Sequence, residues 1–180
     1  MPELTSSTQE TPSSATIEEV IKESKRIEED CIHSSKGHYV AAGFWSNFHL
    51  IVGIPSVILA AIAGTTAFID LPIVAGIVSI IVTILTSIAT FLNPKDRANS
   101  HFTAGNNYNS LQSTIRRFWS IECKNEEPIK LLIHKLEEYS LTRDRLNRES
   151  SQIPRWAYNK GKKYIEDGEA EYAVDKRPQS

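Results

Sequence analysis

Five histidines and two cysteines are the side chains in this sequence best suited to metal binding or nucleophilic attack, and their spacing supports neither. His33, His38, His49, His101 and His134 fall on different stretches with no HExxH-like pairing, and Cys31 and Cys123 show no ligand spacing. His33 and His38 stand at i and i+5, which do not share a helix face. No Gly-rich phosphate loop, Ser-His-acid set or CxxC occurs. The expectation is therefore no enzyme, no metal and no cofactor, with His33 and His38 as polar surface and the cysteines as reduced structural thiols in a cytosolic setting. A net charge of −2 gives no sign of direct nucleic-acid binding.

The residues whose spacing does form a pattern are small or hydroxylic. Gly76, Ser79, Thr83, Thr86, Ser87 and Thr90 fall within an arc of about 100° on a helix, making a hydroxyl face. Gly53, Ser56, Ala60, Gly64 and Ala67 fall within about 80°, making a small-residue face. Small faces let helix backbones approach closely in lipid, where packing drives association. Two uses of the hydroxyl face stand open. Ser79, Thr83, Thr86, Ser87 and Thr90 line water in an oligomeric pore, or they bond back to their own helix and merely pack.

The elements that must carry these faces lie in the segment from Leu50 to Leu92, which holds one charged residue, Asp70, in a chain that is 23% charged. At 1.5 Å per residue each half makes a helix of about 30 Å, the hydrocarbon thickness of a bilayer. The second half holds thirteen Leu, Ile, Val and Phe residues, which favour insertion by about 4 to 8 kcal/mol before Ser and Thr are subtracted. Asp70-Leu71-Pro72 reads as a hairpin turn, with Asp70 capping the second helix and Pro72 in its first turn. A buried core hairpin in a soluble bundle is the alternative, but core helices usually carry a polar face and neither of these has a charge. The tip lacks Lys and Arg while the flanks carry Lys36, Lys95 and Arg97, so both ends are expected on the cytoplasmic side of the inner membrane. Phe44, Trp45, Phe48 and Phe91 are placed to anchor that interface. Pro55 is expected to bend the first span.

Outside the spans the chain reads as helices. Ile17, Val20, Ser24, Ile27 and Cys31 make one narrow stripe; Tyr108, Leu111, Ile115, Phe118 and Glu122 make a second; Ile129, Leu132, Leu136, Tyr139 and Leu146 make a third. Asn125, Glu126, Glu127 and Pro128 read as a helix start, and Pro154 opens a last helix containing Trp156 and Tyr164. Seams this narrow suit coiled-coil packing, and charge runs such as "RDRLNRES" read as solvated faces. The polar opening stretch shows no signal peptide. The predicted organisation is a disordered tail over 1–15 and one domain over 16–172. That domain comprises an amphipathic helix (16–46), transmembrane helices (48–69 and 71–92) and a cytoplasmic helical tail (96–172). A second disordered tail covers 173–180. The fold class is all-α, a membrane protein with a two-helix transmembrane hairpin and a cytoplasmic helical or coiled-coil bundle.

"SKRIEEDCIHSSKGHYVAA" before the first span, "FLNPKDRANSHFTAGNNYNSLQSTIRRF" after the second and "SQIPRWAYNKGKKYIEDGEAEY" near the end resemble the SLATT family of two-transmembrane effector domains from bacterial conflict systems. The resemblance covers about 15–172. It implies an antiphage, abortive-infection role in which the chain forms a homo-oligomer in the lipid bilayer and forms a pore or disrupts the membrane. A sensor partner, such as a nucleotide-second-messenger synthetase or a reverse transcriptase, or its product, would be the trigger. A membrane-anchored coiled-coil scaffold without pore activity is the alternative.

Overall fold

Proline sets the phase of the whole fold. In the computed structural model, which describes residues 12–68, 71–125 and 127–172, each of five helices begins at a proline or directly after one. Helices α1 (Pro12–Phe68), α2 (Pro72–Leu92) and α3 (Pro94–Ser120) start on the proline itself. Helices α4 (Ile129–Glu149) and α5 (Arg155–Glu166) follow Pro128 and Pro154 at the N-cap. The first turn of a helix is where a missing N–H costs nothing. A 3-10 turn over Glu122–Lys124 links α3 to α4. Apart from short connecting turns and the stretch after α5, the described residues are helical, with no strand among them.

The expected stripes are the core. α3 runs antiparallel to the first half of α1, and α4 returns along both, so that Ile27, Cys31, Tyr108, Leu111, Ile115 and Leu146 close one cluster. Val20, Phe118, Cys123 and Leu132 close a second at the far end. Ser24 is fully buried and donates to Val20 O at 2.7 Å, which satisfies its hydroxyl inside the seam. Trp119 Nε1 donates to the buried carboxylate of Glu28 across the same pair. The basic run after Thr142 is partly tied down, because Arg143 reaches Asp30 on α1 at 3.2 Å.

Several boundaries differ from expectation. α1 is one helix of 57 residues, beginning at Pro12 and continuing through Pro55 with no break between amphipathic and apolar parts. α4 starts at Ile129 because Pro128 occupies the cap, while Asn125 ends the 3-10 turn instead. α2 and α3 are separated by Asn93 alone, in a left-handed conformation at φ 43°, ψ 57°. Asn is among the few residues that adopt this region readily, and Pro94 then restarts the helix. Of the tail expected over 1–15, residues 12–15 belong to α1 instead, because Pro12 opens that helix, while residues 1–11 and the tail expected over 173–180 lie outside the described residues.

α5 crosses the outer side of α1. At the crossing, Gly161 is buried against the backbone of Gly37 and Lys36, so close that a Cβ there would lie 2.9 Å from Gly37 N. The absence of a side chain permits the contact. Trp156 then reaches Phe44 on one side of the crossing, and Tyr158 reaches His33 on the other.

Candidate functional site

α2 has no buried residue, and its half-buried positions are Ala75, Val78, Val82, Leu85, Ala89 and Leu92, a spacing of three and four that faces α1. The matching seam on α1 is Val52, Ser56, Leu59, Ala63 and Thr66. One position past the seam rotates 100° around each helix, and in an antiparallel pair the two rotations lead to the same side. The structure displays this rule where α1 meets α3. His38 and His101 face each other in the seam, and their following residues, Tyr39 and Phe102, meet with ring centroids 6.0 Å apart.

Applied to α1 and α2, the rule makes the hairpin two-sided. On one side lie Gly53, the exposed Val57, Ala60 and Gly64 with Gly76, Ser79, Thr83, Thr86 and Thr90. On the other lie Ile51, Ile58 and Ile62 with Ile77, Ile81, Ile84, Ile88 and Phe91, all exposed. Ser87 sits farther round α2, beyond the hydroxyl row, and is also exposed. Each hydroxyl donates to the carbonyl four residues back: Ser79 to Ala75 at 2.8 Å, Thr83 to Ser79 at 2.8 Å, Thr86 to Val82 at 2.8 Å, Ser87 to Thr83 at 2.7 Å and Thr90 to Thr86 at 2.8 Å.

Of the expected small-residue face, only Ser56 is buried in the seam, where it donates to Val52 O at 2.7 Å, and Gly53 borders it. Ala60, Gly64 and Gly76 are exposed, and a Cβ added at Gly53, Gly64 or Gly76 would meet nothing within 4 Å. Within one chain these positions are open. The side chain of Ala67 and all of Asp70 lie outside the described residues. Pro72 begins α2 as expected, but the residue at its N-cap is Leu71, with no side-chain cap, because the cap must directly precede the first helical residue. Leu71 N instead donates to Thr66 O at 3.2 Å, and Leu71 O accepts from Ala75 N at 3.1 Å.

The base of the hairpin is a polar neck. Arg97 Nε donates to Leu92 O at 2.8 Å, closing the end of α2, and its guanidinium lies 5.0 Å from the Trp45 ring centroid. His38 and His101 are both buried, with their Nδ1 atoms 2.9 Å apart. His38 stacks on Tyr108 at 5.6 Å, whose hydroxyl donates to Asn147 Oδ1 at 2.7 Å. Burial, then the neighbouring His101, pushes His38 down to about 4. Burial, then Arg97, lowers His101. Both rings are thus neutral at pH 7, one Nδ1 donating and the other accepting.

No family model, curated protein or solved structure matches the chain. The geometry alone bears on function, and it is of one kind: two helices long and apolar enough to cross a bilayer, mounted on a packed helical bundle. Among the described residues no group of three or more His, Cys, Asp or Glu is placed to hold a metal.

The histidine pair is what sequence spacing missed. His38 was expected at the surface and is instead buried, because its partner is 63 residues away across the hairpin. The available signal was the fold-back itself, since the two residues lie nearly equidistant from Asp70. His33 is half-buried beside Tyr158. Cys31 is fully buried and its thiol is pushed up to about 12, by burial first and then Asp30. Cys123 is buried and raised likewise, by burial and then Glu122.

Proposed function

We propose that this chain is a two-span membrane effector of the SLATT kind, which oligomerises in the bacterial inner membrane and opens a leak during an antiphage, abortive-infection response. Both termini and the bundle of α1, α3, α4 and α5 lie in the cytoplasm. A second chain or its small-molecule product supplies the trigger.

The two-sided hairpin carries this reading. Contiguous exposed apolar surface larger than a few hundred Å² is rare on monomeric soluble proteins, and the Ile-rich side here runs the length of α2. Lipid is the solvent that suits it. The opposite side offers Gly64 and Gly76 for close backbone approach between copies, and beside them a row of hydroxyls that can face water once copies surround it.

A membrane-anchored scaffold is the second reading, and one observation favours it: all five hydroxyls are already satisfied by their own helix. Such residues are tolerated in lipid without any pore. Thr83 separates the two. Thr83→Val keeps shape and removes the hydroxyl, so a pore loses leak and toxicity while membrane abundance holds. Thr83→Asp is tolerated facing water but costs about 2.5 to 3.5 kcal/mol facing lipid. Potassium efflux from induced cells, with membrane abundance measured alongside, reads both variants. Full efflux in Thr83→Val together with loss of the Asp variant from the membrane contradicts pore lining and leaves the hairpin as an anchor.

A further inference from the structure

Where α5 crosses α1 it leaves a cleft of about 630 Å³ on the side that leads toward the spans. The lining changes character along its length. At one end are Lys36 and Lys160, with Glu169 bridging Lys36 at 3.2 Å. Trp156 and Tyr164 stand on the same edge of α5 as Lys160, four residues to either side. Phe44 and Ile51 carry the wall onto the first span, and Ile51 belongs to the Ile-rich side of the hairpin. Along α1 the wall therefore passes from the cation Lys36 through Phe44 to aliphatic Ile51, the order of a phospholipid's own phosphate, glycerol backbone and acyl chain.

We propose that this cleft binds one anionic phospholipid of the adjoining leaflet, its phosphate at Lys160 and Lys36 and an acyl chain along Phe44 and Ile51. The inference rests on the membrane reading above and adds a ligand to it. Charge selects the class. With Lys36 paired to Glu169, the cleft's net charge is that of Lys160, the outer faces of α5 add Arg155, Lys162 and Lys163, and basic residues at a membrane surface draw anionic lipids about fivefold per charge. Position selects a lipid over a soluble phosphate, because the cleft opens onto apolar surface that a free anion leaves uncovered. Trp156 and Tyr164 suit the headgroup level, where amphipathic rings concentrate.

The test uses the full chain in nanodiscs containing phosphatidylglycerol and phosphatidylcholine in equal amounts, with retained lipid read by native mass spectrometry on release. The wild type keeps phosphatidylglycerol in clear excess. Lys160→Gln, an exposed position, lowers that excess about fivefold, and Lys36→Gln with Lys160→Gln abolishes it. Equal retention of the two lipids by inserted wild-type protein, or an unchanged preference in the double variant, overturns the lipid site and leaves the spans untouched. A chain that does not enter nanodiscs overturns the membrane reading and the site together. Glycerol 3-phosphate binding by calorimetry, at an affinity that accounts for the whole effect of the lysines, would show a soluble anion as occupant and overturn the lipid assignment.

Discussion

Gly161→Ala tests the joint on which α5 is mounted, and its consequence follows from distances. The new methyl would lie 2.9 Å from Gly37 N and 3.0 Å from Lys36 C. Those atoms belong to the backbone of α1, which α3 holds from the other side, so neither wall can yield by turning a side chain. Overpacking of this kind costs about 1 to 3 kcal/mol, and the intrinsic preference of a helix for Ala over Gly offsets about 1 kcal/mol of it. The net is a weakening of α5 docking by about 1 kcal/mol, or about fivefold in its local opening. Amide hydrogen exchange in detergent micelles reads that opening over Trp156 to Ile165. Two controls calibrate it. At Gly43 a Cβ meets nothing within 4 Å, so Gly43→Ala slows exchange or leaves it unchanged. At Gly105 the obstacle is the Tyr39 ring, 2.8 Å away, which can swing aside from Asn106 at smaller cost. Equal exchange in α5 for Gly161→Ala and Gly43→Ala would refute the crossing.

Three further outcomes follow. The folded-state pKa of His38 lies at about 4 against 6.5 when unfolded, so the unfolded chain binds more protons between those values and stability falls as pH drops through that window, by up to about 3 kcal/mol; thermal melts from pH 7 to 4 should show this loss shrinking in His38→Gln. A cysteine at exposed Leu71 should react with an impermeant thiol reagent from outside the cell and one at exposed Asn159 should not, and reversed labelling would invert the orientation. Buried Cys31 and Cys123 stay silent wherever they lie, so native cysteines cannot report topology. Gly64→Leu should leave the hairpin of one chain intact, because the site is open, while reducing crosslinking between copies; unchanged crosslinking removes Gly64 from the contact between chains.

What was legible in the sequence is what local rules govern. Pro72, Pro128 and Pro154 mark helix starts, and the three-four spacing of Val20, Ser24, Ile27 and Cys31 or of Leu111, Ile115 and Phe118 gives the buried faces, because each depends only on residues within a few turns. The His38–His101 pair depends on the register of a long antiparallel pairing, which no short window contains. The α5 crossing depends on two glycines, Gly37 and Gly161, whose role is an absence of atoms and becomes visible only when two backbones meet. The small-residue face was legible as a pattern, but its relation to the seam was not. Ser56 enters the seam while Ala60 and Gly64 turn aside, since the half-buried residues beside them on α1 are Leu59 and Ala63.

The most direct measurement is release of potassium from sealed liposomes of bacterial lipid into which the purified full chain has been inserted, as protein density rises from less than one copy per vesicle to many. The account predicts no release from single copies and a steep rise once several share a vesicle, with Thr83→Val flattening the rise at equal insertion. Stable insertion with tight vesicles at every density would contradict it.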